Sequence, residues 1–260
     1  MNEFERKVAI VTGTSGIGRA IAKKLASAGA SVMACGIDKE ANRGLQQEAD
    51  AQGFALHVEL CDVSRPEQVQ DLVAKTAAEF GGLDFIVNSA AIHPFGSAVE
   101  TDPETWNRCM AVNLGGVYLL AHFGIPEMIK RGGGSIVIVA SVQGHACQHG
   151  VAAYATSKGG LLSLTRALAL DHAANRIRVN SISPGSIRTP MLEHAAAHFS
   201  PELPVDTVVE RFGAAHPLGR VGTVEEVAEL AAFLLSERSA FCTGGDYLID
   251  GGLLAGIGVK

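Results

Sequence analysis

The chain has 260 residues, 47% hydrophobic and 18% charged, with 30 glycines; that is enough sequence to bury a large core without disulfide or metal staples. Its formal net charge is −6 and no block of Lys or Arg stands out, which argues against nucleic acid and anionic membrane surfaces as partners. The five cysteines, at 35, 61, 109, 147 and 242, contain no Cys-x-x-Cys pair, so free thiols in a reducing compartment are expected rather than a disulfide framework or zinc site.

The opening MNEFERKVAIVTG mixes charges with a short apolar run, unlike a leader peptide. No stretch of about 18 consecutive apolar residues suggests a spanning helix, and a cytoplasmic location is the expectation. Along the chain, short β-rich runs alternate with helical patterns. Val8 to Val11 is the first strand; Ile17, Ile21 and Leu25 follow at helical spacing. Further strands are predicted at Ser31–Cys35, Leu56–Leu60, Leu83–Val87, Ser135–Val139, Ile177–Ile182 and Tyr247–Ile249. Helices are predicted over Glu67–Phe80 and Ala152–Ala174, and another opening at Pro103. Strands separated by helices mean right-handed βαβ units, hence a seven-stranded, doubly wound parallel sheet with helices on both faces. One Rossmann-type domain over 1–260 is expected, and ligands in such a sheet bind beyond the carboxyl ends of the strands.

Just past the first strand lies Thr12-Gly13-Thr14-Ser15-Gly16-Ile17-Gly18, running straight into a helix. Glycines allow a tight turn and close approach to a pyrophosphate, which free helix N–H groups and the helix dipole attract. Asp62-Val63 follows the third strand, Asn88-Ser89-Ala90-Ala91 the fourth, and Pro184-Gly185-Ser186-Ile187-Arg188-Thr189 the sixth. Ser141 ends the fifth strand; Tyr154 and Lys158 stand four apart, one helical turn, on one helix face.

Taken in order, these segments resemble the short-chain dehydrogenase/reductase family over about residues 5–255. The turn resembles the family's T-G-x-x-x-G-x-G but is one residue shorter between Gly13 and Gly16. Asn88 to Ala91 is similar to N-N-A-G, residues 184–189 to P-G-x-x-x-T, and Thr243-Gly244-Gly245 with Asp250-Gly251-Gly252 to the closing strand pattern. Ser141 precedes Tyr154 by thirteen residues, the family spacing. With Asn113 and Lys158 they make its tetrad.

The resemblance implies an oxidoreductase that moves a hydride between a secondary alcohol or ketone and a nicotinamide cofactor. Tyr154 would be the general acid/base, Ser141 would hold the substrate oxygen, Lys158 would grip the nicotinamide ribose, and Asn113 would support a water chain. Free tyrosine has a pKa of about 10, and a neighbouring ammonium is expected to lower it. The implied cofactor contacts are Gly13, Ser15, Gly16, Ile17, Gly18, Asp38, Asp62, Val63, Asn88, Ala90, Tyr154, Lys158, Pro184, Gly185, Ile187 and Thr189.

Cofactor choice is argued from charge. Gly36 falls where NAD-using relatives carry an acid, and Ile37 where NADP users carry Arg. Gly36 leaves room for a 2′-phosphate, but no cation is there to bind one, and Asp38 would repel it; NAD is expected. Asp38 also reads as a helix N-cap.

His93, Gln143, His145 and His149, with Ser141 and Tyr154, are the candidate substrate contacts, under a lid at about 189–217. They suggest a small polar substrate such as a sugar, polyol or sugar acid; the competing reading is solvent-rim histidines. His194 and His198 share a helix face without an H-E-x-x-H pattern, so no metal is expected. The apolar helix after Lys158 matches one that packs against another subunit in the family, implying a homotetramer. Two rival readings remain: an NADPH-dependent 3-ketoacyl (acyl-carrier) reductase, and a cofactor-sensing protein without turnover.

Overall fold

The computed structural model describes residues 3–256. Seven strands, β1 (Val8–Thr12), β2 (Ser31–Gly36), β3 (Leu56–Leu60), β4 (Phe85–Asn88), β5 (Gly134–Val139), β6 (Ile177–Pro184) and β7 (Asp246–Ile249), form one parallel sheet in the order β3-β2-β1-β4-β5-β6-β7. The order reverses between β1 and β4, which opens a crevice at their carboxyl ends. The nine helices among the described residues are α1 (Gly16–Ser27), α2 (Lys39–Gln52), α3 (Pro66–Phe80), α4 (Pro103–Met110), α5 (Gly116–Arg131), α6 (Ala152–His172), α7 (Pro190–Phe199), α8 (Val205–Ala214) and α9 (Val224–Leu235).

Strand alternation divides the core into two layers. Ala9, Val11, Val32 and Ala34 face Ile21 and Leu25 of α1, Leu45 of α2 and Val227 and Ala231 of α9. The intervening Ile10 and Met33, with Ile86 and Ile136, face Leu72 of α3, Leu120 of α5 and Leu161 of α6. All strands were anticipated to within about two residues, as was the start of α4, where Pro103 follows an Asp102 cap on the Thr105 N–H at 2.8 Å.

The expectation of no membrane-length helix needs correcting. α4 runs through a π-helical turn at Ala111–Gly115 into α5, giving 29 helical residues of mean hydropathy high enough to span a bilayer. Half of its most apolar window is buried inside the protein, with Val117, Leu120 and Met128 packed in the core. The apolar content therefore serves sheet packing, as in any buried helix.

Candidate functional site

A cleft of about 600 Å³ opens along the carboxyl ends of the strands, within the size range of small-molecule sites. At one end the β1–α1 turn supplies Gly13 to Ile17, and the end of β2 supplies Gly36, Ile37 and Asp38. Gly18 lies just below the floor. A Cβ there would stand 2.2 Å from the Gly13 carbonyl oxygen, so only glycine lets α1 start this close to the turn. The Ser15 side chain makes no cap hydrogen bond and no acidic residue occupies the first turn, leaving the leading N–H groups available to an anion. Across the cleft, buried Thr12 accepts hydrogen bonds from the Ser89 and Ala90 N–H groups at 3.1 and 3.0 Å, which draws the β4 loop onto the turn.

At the other end, Ser141, Tyr154 and Lys158 converge on the same cleft wall. All three are buried, at 8%, 8% and 3% exposure. Ser141 follows β5, and its Oγ accepts from the Gln143 N–H at 3.1 Å, the cap of a single 3-10 turn. That hydroxyl also faces Tyr154 and favours its phenolate. The Lys158 ammonium donates to the Val139 carbonyl at 2.8 Å and stands 5.5 Å from the centre of the Tyr154 ring. Asn113, on the π-helical turn, accepts from the Ile92 N–H at 2.8 Å and donates to the Ile92 carbonyl at 2.9 Å and Ser157 Oγ at 3.0 Å. It holds the loop after β4 against α6 and does not itself line the cleft.

Residues 11–254 match the family model described as enoyl-(acyl carrier protein) reductase. The L-fucose dehydrogenase of Bos taurus is 39% identical, over 99% of this chain and 93% of its own. A 3-oxoacyl-(acyl-carrier-protein) reductase of Thermotoga maritima is 38% identical, over 96% of this chain and 99% of its own. Among solved structures, a single-residue variant of actinorhodin polyketide ketoreductase with NADPH superposes with a TM-score of 0.91 at 34% identity, covering 95% of this chain and 97% of that one. The chain belongs to the short-chain dehydrogenase/reductase family. It is an oxidoreductase acting on CH–OH groups, and the family's cofactor is a nicotinamide dinucleotide.

In this short-chain dehydrogenase the cleft fits such a cofactor. The glycine turn stands at one end, the buried Ser141–Tyr154–Lys158 group at the other, and Asp62, Val63, Ala90, Pro184, Gly185, Ile187 and Thr189 line the wall between them. Asn88 ends β4 below that wall, with its Nδ2 buried and partnerless. Asp62 is more engaged than the sequence suggests. Its Oδ1 accepts from the Ser64 N–H and hydroxyl, and its Oδ2 pairs with Arg108 at 3.0 Å. Arg108 lines the cleft as well, and sequence reasoning missed it.

One electrostatic expectation is corrected. Tyr154 is not pulled down by Lys158: burial pushes its pKa up to about 12, and the Ser141 hydrogen bond only partly opposes this. Burial instead lowers the Lys158 ammonium to about 8. Gly36 lines the cleft through its backbone. A Cβ at Gly36 would lie 2.5 Å from the Thr14 hydroxyl. Asp38 is indeed an N-cap, with its Oδ1 accepting from the Glu40 and Ala41 N–H groups at 2.9 and 3.1 Å, while it also lines the cleft.

The four substrate candidates separate into two groups. His93 and Gln143 line the cleft; His145 and His149 do not. His145 turns away toward β7, where its Nε2 meets Asp246 at 2.7 Å in a cluster with Ser181 and Ser183. His149 is exposed in the loop before α6. His93 packs edge-to-face on Tyr154, with centroids 4.2 Å apart. Burial, then the charge of Lys158, lowers its pKa to about 4. Its Nδ1 and the Gln143 Oε1 are buried without partners. Met191, Leu192, Ala195 and Phe199 of α7 and Phe212 of α8 close this end from above. His198 stacks face-to-face on Phe95 at 3.8 Å rather than pairing with His194.

Proposed function

We propose that the enzyme oxidises a small, neutral, polyhydroxylated secondary alcohol, such as a sugar or polyol, with NAD. The observation that carries this reading is the convergence of Ser141, Tyr154, Lys158 and neutral His93 on one cleft end. Bound NAD would supply the hydride acceptor, held by the glycine turn, Asp38, Asp62 and the 184–189 segment.

Tyr154 takes the hydroxyl proton in oxidation and returns it in reduction. Ser141 stabilises the charge that develops on the substrate oxygen. With a pKa of about 8, Lys158 is mostly cationic at neutral pH and would hold the nicotinamide ribose. Asn113 fixes the loop carrying Ile92 beside this group, and its place between that loop and Ser157 supports a role in proton return. The partnerless His93 Nδ1 and Gln143 Oε1 are suited to the remaining substrate hydroxyls, since an unmet buried polar atom costs about 1–3 kcal/mol. A His93 that stays neutral offers no ion pair, so a neutral sugar fits better than a sugar acid.

The rival 3-ketoacyl reductase reading has the family description and the Thermotoga relative in its favour. Against it, Arg188 beside the lid is held by Glu193 and Asp206 at 3.2 and 2.5 Å instead of facing an acidic carrier. A panel of neutral sugars, polyols, sugar acids and 3-ketoacyl thioesters, assayed with NAD(H) and NADP(H), separates the two. NAD-linked oxidation of a neutral polyol is expected; thioester reduction with NADPH as the dominant activity would overturn the proposal.

We propose a homotetramer in a reducing, cytoplasmic setting. Exposed Tyr118 of α5, Leu170 of α6 and Leu248 of β7, together with five unpaired thiols, support that reading.

A further inference from the structure

The glycine turn and the end of β2 are joined by a hydrogen-bond chain that fixes the direction of every proton in it. Asn42 of α2 donates through Nδ2 to the Gly36 carbonyl at 3.0 Å and, at 3.5 Å, toward the Glu59 carbonyl. Carbonyl oxygens only accept, so the amide nitrogen must lie on that side and Oδ1 on the other. Oδ1 in turn meets the Thr14 hydroxyl at 2.6 Å. An amide oxygen also only accepts, so Thr14 must donate its single proton there. Thr14 is 3% exposed and lines the cleft, and with its one hydroxyl proton committed to Asn42 that oxygen can only accept a further hydrogen bond.

The same hydroxyl excludes a side chain at position 36. Gly36 has no left-handed backbone, so space and not torsion demands glycine: a Cβ would meet Thr14 Oγ1 at 2.5 Å and Asn42 Oδ1 at 3.1 Å. Thr14 and Asn42 together occupy the volume that a side chain at position 36 would need.

We infer that Thr14, oriented by Asn42, determines specificity at the adenosine ribose, accepting a hydrogen bond from the 2′-hydroxyl. This rests on the reading that the cleft binds NAD. A hydroxyl can donate to Thr14, whereas an ionised 2′-phosphate cannot, and meets lone pairs there and the Asp38 carboxylate on the same wall. Discrimination would come from a committed proton as well as from a charge.

Dissociation constants on the purified enzyme test this, read by calorimetry for NAD, NADP and NAD lacking the adenosine 2′-hydroxyl. Wild type should prefer NAD over the deoxy analogue by about fivefold, the worth of one hydrogen bond. Thr14→Val, of similar shape, should erase that difference, and Thr14→Ser should keep it. Asn42→Leu, which unlocks the Thr14 proton, should shrink it, and the double variant should be no worse than Thr14→Val alone. Melting curves establish that each variant is folded; an unfolded Asn42→Leu leaves the threonine pair decisive. A folded Thr14→Val that still distinguishes NAD from the deoxy analogue overturns the inference with NAD binding intact. Wild type that binds no NAD, or binds NADP more tightly, overturns the cofactor reading and this inference with it.

Discussion

The two ends of the cleft are built from different materials. At the reactive end, side chains with transferable protons and charge are buried together, and burial shifts their pKa values: Tyr154 up to about 12, Lys158 down to about 8, His93 down to about 4. At the adenosine end, backbone, small residues and one committed hydroxyl shape the wall, and the nearest carboxylate, Asp38, is exposed and spends one oxygen capping α2. Chemistry needs particular functional groups in a dry place. Recognition at the other end, on the inference drawn for Thr14, would rest on filled volume and fixed proton direction.

Removing a reactive group should break the first end and spare the second. Tyr154→Phe is expected to lower kcat/KM by about 10²–10⁴-fold, the range of general acid/base catalysis, while NAD affinity changes little. Turnover within a factor of two of wild type would show that the proton goes elsewhere.

Crowding the second end should do the reverse. Gly36→Asp forces a side chain against Thr14 and should weaken NAD binding by about tenfold, with kcat at saturating NAD largely kept. Adding Thr14→Ala should recover most of the loss. Tighter NAD binding by the single variant would mean that position 36 is open after all.

His93 sharpens the comparison because it carries both stability and recognition. Its folded pKa of about 4 lies below the ordinary 6.5. The stability that comes from keeping it neutral is therefore present above pH 6.5 and lost as pH falls toward 4, by up to about 3 kcal/mol. His93→Leu should flatten that acid loss in denaturant titrations and raise KM for a polyol by about fivefold. A wild-type acid limb that survives the substitution would assign the loss to other groups.

What could be read from the sequence follows the same division. Tyr154, Lys158 and Ser141 were legible because their roles require specific residue types at fixed helical and strand-end spacing. The parallel sheet was legible because β-rich runs alternated with helical ones, down to β7 at the chain's end. The Thr14–Gly36–Asn42 contact was not, since it joins three elements, and a missing residue in the turn says nothing of what moves into its place. The shift of Tyr154 was misjudged for a related reason: sequence gives its cationic neighbour, Lys158, but not the depth of burial that outweighs it. From sequence His145 reads as a substrate contact because it follows Ser141 closely; the structure instead places it beyond the 3-10 turn at Val142–Gly144, against Asp246.

The central claim is that Tyr154 is the general base, and with burial holding its pKa up to about 12 it can serve near neutral pH only if bound NAD favours the phenolate. With three tyrosines in the chain, near-ultraviolet difference titration of tyrosinate, with and without NAD, tests this directly. Without NAD, Tyr154 should stay protonated until about pH 12. With NAD, one tyrosine should ionise several pH units lower, since the nicotinamide's positive charge favours phenolate, and Tyr154→Phe should abolish that signal. A titration curve unmoved by NAD would contradict the account.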